Sequence, residues 1–460
     1  MVLVMLVYFS VDNYKSINER LELNLRAAPR LRRFPHHTFT PSKDKSLKVL
    51  RNAVIYGGNA SGKSNIVKAI KTAQAMVVGS HGEKKPLKVE PFKLTRNIKD
   101  ETSFYFEFVH NGSLWGFGFA ISQNKILNEY LYRLDKDDEF CIYERLLNDQ
   151  NGYDLNTDID AFSDLPKEIV EDLKRLIKYS SNEELFIREA YEKNYTSKLG
   201  NVGRYFIPLI SFFHYQLIVI FPHTFYGGLG RDLTSENDSL CNYIDLIKNF
   251  DTGVSQVKAE LTNISIFPKD LVEEILDTLE ERDAVCFHTY NNEEYRFELS
   301  DGELVVSKIV AIHELPDGSK IPFKLEDESD GTRRILDLLP ALSNRQSSDD
   351  DNNFTYIIDE FDRSLHPNLS RAFLEAFLND GVANPQDQMI VTTHESSLLD
   401  NKLLRRDEIW FVQKEDDHSS SLYSLNDYSP RFDKDIRSAY LSGIYGAVPH
   451  ITRVKDGKCS

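Results

Sequence analysis

The chain has 460 residues, 41% of them hydrophobic and 28% charged. This excludes a disordered chain and leaves room for two or three domains, or one large domain with insertions. Its formal net charge of −17 has the wrong sign for a general, sequence-blind nucleic-acid binder. No apolar run approaches the roughly 20 residues that span a bilayer, and the scattered cysteines Cys141, Cys241, Cys286 and Cys459 lack a CxxC pair, which argues against a zinc site or disulfide framework and fits a reducing cytoplasm.

The opening MVLVMLVYFS is apolar but short, with no basic start and no small-residue cleavage site. It reads as a first strand over 2–9 rather than a signal peptide, and 20–26 reads as a second. Between Arg26 and Arg51 the acidic balance reverses: Arg26, Arg30, Arg32, Arg33, Lys43, Lys45, Lys48 and Arg51 face the single acid Asp44. A solvated loop accounts for such a run. Contact with the phosphates of a nucleotide, a nucleic acid or an acidic partner is the other reading.

VLRNAVIY (49–56) is an apolar run ending at a glycine, as a buried strand before a phosphate loop would be. A helix is expected over 63–78. From 103 to 145, aromatic and β-branched runs alternate with NG, SQN and DKDD, the pattern of an antiparallel meander. From about 164 to 280, DLPKEIVEDLKRLIKY, NYIDLIKNFDTGVSQVKAEL and PKDLVEEILDTLEER carry helical spacing and i,i+4 charge pairs, which predicts a helical insertion. Its most apolar part, SFFHYQLIVIFPHTFYGGLG (211–230), reads as core ahead of a binding patch. Strands return over 283–323 and a helix over 331–343. SNRQSSDDDNN (343–353) reads as a surface loop. A strand at 354–360, a helix at 368–380 and strands at 388–394 and 408–414 complete the series.

Four short motifs carry chemistry. GGNASGKS, Gly57 to Ser64, fits GxxxxGK[ST] at every fixed position. Its glycines let backbone amides turn toward phosphates, Lys63 reaches the β- and γ-phosphates, and the Ser64 hydroxyl ligates magnesium. The positive end of the following helix adds to this. In TYIIDE (355–360), Asp359 would hold the magnesium shell and Glu360 would polarise the attacking water. ESDGTRR (328–334) stands before a helix. There Ser329 and Gly331 would offer a hydroxyl and amides to an anion, whereas Ser329 or Asp330 as a plain N-cap is the structural alternative. In TTH (392–394) the histidine sits at a strand's C-terminal edge, where open α/β sheets bind ligands.

Taken together, these motifs resemble the ABC-type AAA ATPases of the SMC, RecF and OLD class. The order is that family's, with Walker A at 57–64, signature at 328–334, Walker B at 355–360, D-loop at 361–367 and H-loop at His394. NYKSI (13–17), PFKL (91–94), ESDGTRRIL, DEFDRSLHP, TTHE, LLRRDEIWFVQK (403–414) and AYLSGIYGAVP (439–449) are similar to ATPase subunits of bacterial phage-defence and abortive-infection systems, such as the PARIS and RloA-type ATPases. The resemblance implies an α/β fold: an ABC-type P-loop ATPase head, mixed sheet plus antiparallel β lobe, with an inserted helical subdomain. The expected division is 1–160 for the N-terminal half of the head, 161–282 for the insertion and 283–460 for the C-terminal half.

The resemblance also implies a site. ATP and Mg2+ would be held by Gly57, Asn59, Gly62, Lys63, Ser64 and Asn65, with Ser64 and Asp359 on the metal. Glu360 and His394 would be catalytic. Ser329 and Gly331 would reach the γ-phosphate of a second subunit, and Asp362 would couple the two sites. A chain with one Walker A and one signature must then act as a homodimer or higher homo-oligomer. The signature departs from LSGGQ at Asp330 and Thr332, and Arg333 and Arg334 are either helix-surface charges or contacts in trans. A Q-loop glutamine is not evident, since Gln74 falls within the first predicted helix.

Three tasks for the ATP are compatible with this reading. One is a scaffold and sensor for anti-phage defence that controls a separate effector, with a phage protein or DNA as trigger. About 66 residues follow His394, too few for a TOPRIM domain, and no HNH pattern is present. A TOPRIM- or HNH-type nuclease encoded in the same operon is therefore the expected partner. The second task is RecF/SMC-like DNA repair by direct DNA binding. The third, a transporter's ATPase subunit, is disfavoured by the signature form and the meander; the expected setting is cytoplasmic, with no membrane partner.

Overall fold

The computed structural model describes residues 3–41, 47–79, 88–96, 99–134, 138–158, 166–194, 200–223, 246–279, 284–288, 293–300, 302–342, 353–379, 382–428 and 435–449. The chain divides into two compact units, one of residues 1–219, 352–360 and 386–460, the other of 220–351 and 361–385. The expected boundaries at 160 and 282 do not coincide with this division. The expected surface loop at 343–353 lies almost wholly outside the described residues.

The first unit contains two large sheets. One is antiparallel, built from β1 (Val4–Asp12), β2 (Leu21–Asn24), β6 (Thr102–His110), β7 (Ser113–Ser122), β8 (Lys125–Leu134), β9 (Glu139–Leu147) and β10 (Tyr153–Asn156), in the order β10-β9-β8-β7-β6-β1-β2. This is the expected meander, with β1 closing against β6. Alternating side chains give it one apolar face: Phe104, Phe106, Phe108, Phe117 and Phe119 are all buried. Each such ring contributes about 1.5–3 kcal/mol by leaving water.

The second sheet carries the phosphate loop. β11 (Leu217–Ile220), β17 (Thr355–Ile358), β18 (Gln388–Thr393), β5 (Asn52–Tyr56), β19 (Ile409–Lys414) and β20 (Ser420–Ser424) run in the order β11-β17-β18-β5-β19-β20. β17, β18, β5 and β19 are parallel neighbours, and β20 is antiparallel to β19. Two buried amides stitch the sheets together. Gln388 accepts from Leu6 N at 3.0 Å and donates to Leu6 O at 2.9 Å and Leu50 O at 2.8 Å. Asn353 Oδ1 accepts from Val4 N at 2.8 Å.

The run 49–56 is not one strand. β4 (Val49–Leu50) pairs with β3 (Thr38–Phe39) in a small separate ladder, and β5 starts beyond Arg51. Arg51 is buried and its guanidinium donates to His36 O at 3.1 Å, so a cation interrupts the apolar run by tying it to the preceding loop.

The segment expected to be helical is mixed. α1 (Lys63–Val78) is the helix after the phosphate loop; α2 (Lys167–Lys178) and α3 (Phe186–Glu192) follow the meander. α3 and the turn before it are tied to it by a fully buried ion pair, Arg145 with Glu129 at 2.6 Å. Arg145 also donates to Ser181 O and Glu184 O, and Glu129 accepts from Phe186 N and Ile187 N. A π-helical turn, Ser211–Gln216, packs Phe212 and Phe213 on the meander's aromatic face, with Phe108 and Phe212 stacked at 4.8 Å. The described part of 211–230 thus supplies core, as expected. Yet 217–220 is strand β11, and VSQVKAEL yields strand β12 (Gln256–Leu261) instead of helix.

β12 belongs to the second unit, whose sheet runs β12-β15-β14-β13 with β16 also on β15. The strands are β13 (Ala284–His288), β14 (Glu294–Ser300), β15 (Glu303–Glu314) and β16 (Lys320–Lys324). α4 (Lys269–Leu279) buries Ile275 and Leu279 with Tyr295, Phe297 and Val306 of this sheet. The same unit holds α5 (Asp330–Leu338) and α6 (Pro367–Leu378). The architecture is the expected α/β one, a P-loop on a mixed sheet with an antiparallel β lobe.

Candidate active site

The phosphate loop leaves a fully buried strand, β5, and enters α1. Gly62, the N-cap of α1, has φ 110°, and a Cβ there would lie 2.0 Å from Ser420 Oγ. Glycine is required on both counts, by the left-handed backbone and by the closeness of β20. No side chain caps α1, so its first amides point into the loop. Lys63 is buried and its amine donates to Gly57 O at 2.8 Å and Gly58 O at 3.1 Å. Ser64 and Asn65 begin the helix half-buried, whereas Asn59 is exposed at the loop tip.

Parallel pairing brings the other parts to the same edge. β5, β17 and β18 end in Tyr56, Ile358 and Thr393, so the phosphate loop, Asp359–Glu360 and His394 all emerge from the C-terminal ends of neighbouring strands. His394 Nδ1 lies 3.4 Å from Lys63 Nζ and accepts from it in the Nε2–H tautomer. Asp359 is buried and its Oδ1 accepts from Thr392 Oγ1 at 2.6 Å; the same hydroxyl accepts from Glu360 N at 2.8 Å. Glu360 has φ 45°, a conformation costing about 1–3 kcal/mol unless its surroundings hold it.

Several contacts at the loop were not legible as roles. Asn65 Nδ2 donates to Ser16 Oγ at 2.7 Å, Ser16 Oγ lies 2.8 Å from Ser420 Oγ, and Ser420 Oγ donates to Ser61 O at 2.6 Å. NYKSI and β20 therefore brace the loop from outside. AYLSGIYGAVP does so from the C-terminal side. Gly58 N donates to Ala447 O at 3.0 Å, and Tyr423 OH donates to Tyr445 O at 2.6 Å. Tyr440, on α7 (Ile436–Leu441), stacks on Phe411 of β19. Gln74, on α1, is committed to structure, donating to Phe213 O at 2.9 Å and Leu217 O at 2.7 Å. Beside it, burial lowers the pKa of Lys71, whose amine donates to Gln74 Oε1.

The signature and D-loop belong to the second unit. Ser329 is the N-cap of α5, its Oγ accepting from Thr332 N at 3.1 Å. Gly331 packs so closely on the D-loop that a Cβ would lie 2.7 Å from Ser364 O. Arg334 is buried, 3.8 Å from Asp337, and so is not a surface charge, whereas Arg333 pairs with Asp330. Asp362 is half-buried in the turn after Walker B, and Arg363 Nη1 lies 2.9 Å from His223 Nε2.

The Ser64 hydroxyl and the Asp359 carboxylate are hard oxygen donors. Among the described residues no cluster of three or more His, Cys, Asp or Glu is placed to hold a metal. Two hard oxygen donors of this kind fit magnesium, which keeps several waters and combines one or two protein ligands with substrate phosphate oxygens. No helix among the described residues is long and apolar enough to cross a membrane.

A family model described as "AAA domain, putative AbiEii toxin, Type IV TA system" matches residues 53–186 and 242–400, well over half the chain. No curated protein matches it. Among solved structures, the SMC head domain from Thermotoga maritima is similar at 13% identity and a TM-score of 0.37, over 91% of this chain and 98% of that one.

Proposed function

The chain belongs to this AAA-domain ATPase family, and on that premise we propose that it binds and hydrolyses ATP with Mg2+ as the oligomeric scaffold and sensor of a bacterial anti-phage system. One observation carries the ATPase part. Lys63, Asp359, Glu360 and His394 come from three loops at the C-terminal ends of neighbouring parallel strands of one sheet, with Lys63 and His394 3.4 Å apart. Magnesium held by Ser64 and Asp359 would neutralise charge on the phosphates. Lys63 and the α1 amides bind and orient the β- and γ-phosphates, Glu360 orients the attacking water, and His394 contacts the γ-phosphate. Ser329 and Gly331 complete the site of a second copy, so that turnover requires at least a dimer. The output is control of a separate effector of nuclease chemistry. The family description, which names a toxin–antitoxin context, supports the defence setting.

The test is affinity purification of tagged Glu360→Gln protein, expressed with its neighbouring genes and given ATP. A multimeric core with a stoichiometric nuclease-like partner is the expected result. An isolated dimer that shifts DNA with ATP would replace the defence reading with RecF/SMC-like DNA repair. Mixing Lys63→Ala with Ser329→Arg protein tests the composite site: activity regained in the mixture is expected, and its absence removes the contact in trans.

A further inference from the structure

We propose that Thr392 is a positioning residue that sets both Walker B carboxylates with one hydroxyl; this rests on the ATPase reading above. Thr392 lies on β18, the strand between β17 and β5, in register with Ile55 of β5 and one residue beyond the pair Ile358–Val391. It therefore stands beside the point where the Walker B chain leaves the sheet. It is 1% exposed, so no water competes for its hydroxyl.

A threonine hydroxyl has one hydrogen to give and lone pairs to receive. The Asp359 carboxylate only accepts, so the hydrogen goes to Asp359 Oδ1, at 2.6 Å, and the lone pair takes the Glu360 N–H, at 2.8 Å. The first bond fixes the rotation of the carboxylate assigned to the magnesium shell. The second holds the backbone of the next residue, which is in the left-handed region at φ 45°. Non-glycine residues keep that conformation only when their surroundings impose it. A turn rather than a strand pleat thus decides where the Glu360 carboxylate leaves the chain, and the Thr392 hydroxyl pins that turn. Substitutions separate the role of the hydroxyl from that of the methyl group.

Thr392→Val keeps the shape and removes the hydroxyl; Thr392→Ser keeps the hydroxyl and removes the methyl. In Thr392→Val, kcat is expected to fall about ten- to hundredfold. The Mg2+ concentration giving half-maximal thermal stabilisation by ATP should rise several-fold, while nucleotide affinity in EDTA stays as in the wild type. Thr392→Ser should restore both readouts toward wild type even if its melting temperature drops. Wild-type kcat and Mg2+ dependence in Thr392→Val would overturn the proposal, as would Thr392→Ser failing as badly as Thr392→Val. Should the valine protein not fold, Thr392→Cys, with a weak donor of similar volume, is held to the same criteria. If the wild-type chain neither binds nor hydrolyses ATP, the ATPase reading itself falls and takes this inference with it. If wild type is active and Thr392→Val matches it, this inference alone fails.

Discussion

Helices α1 and α5 both begin at a glycine-containing motif, yet their first turns are built oppositely. α1 starts at Gly62 with no side-chain cap and carries a buried lysine in its first turn. α5 starts at Ser329, whose own hydroxyl satisfies Thr332 N, and its first residue is the exposed Asp330. Both have the positive end of a helix dipole. In α1 that end is left for a ligand, with a cation beside it and glycine to let phosphates approach. In α5 the cap is filled from within and a carboxylate opposes an incoming anion. As the proposed contact in trans, then, α5 offers a hydroxyl and a shape rather than charge, and the binding energy of the site belongs to α1.

Substitutions at three positions break or sharpen this contrast. The largest effect is expected from Lys63→Ala, which removes a charge-assisted contact worth about 1.5–3 kcal/mol, roughly ten- to hundredfold in Kd. Titration with a fluorescent ATP analogue measures it, and unchanged affinity would mean that α1 is not the strong partner. Next is Gly331→Ala. The new Cβ would lie 2.7 Å from Ser364 O, a backbone atom, and overpacking of this kind costs about 1–3 kcal/mol. Urea unfolding should show the loss; wild-type stability would show that the signature and D-loop are not locked together. The smallest effect is Ser329→Ala, about 1 kcal/mol for a lost cap. Ser329→Asp sharpens the comparison because it keeps the cap. Its stability should match wild type while its ATP turnover falls, since in the proposed contact in trans a second carboxylate would face the γ-phosphate. Equal turnover would show that α5 does not meet the nucleotide.

Much of this was legible from residue order. The α1 site is local: glycines, Lys63 and Ser64 lie within eight consecutive residues between a strand and a helix, and the helix spans 63–78 as expected. The meander was legible because alternation and turn residues are also local. What failed were elements whose own residues carry no distinct strand signal and that only a remote partner makes into strands. QVKAEL has a single β-branched residue and reads as helix, but its pairing with Ser307–Ile312 makes it a strand. β11 hides in an apolar run until it finds its place beside β17. Within TTH the histidine carries a local signal, whereas the role of Thr392 depends on a strand more than thirty residues away.

The sequence by itself determined which chemical groups this protein owns and the form of the glycine-rich loop before α1, because a few neighbouring residues set a glycine turn and a helix start. Tertiary structure alone decided how those groups are aimed. A parallel ladder places Thr392 against Asp359 and Glu360, more than thirty residues earlier in the chain. It sets His394 near Lys63, and it brings NYKSI, β20 and the Ala447 segment onto one loop. Those contacts depend on strand order, which is settled by the whole buried sheet rather than by any stretch of chain.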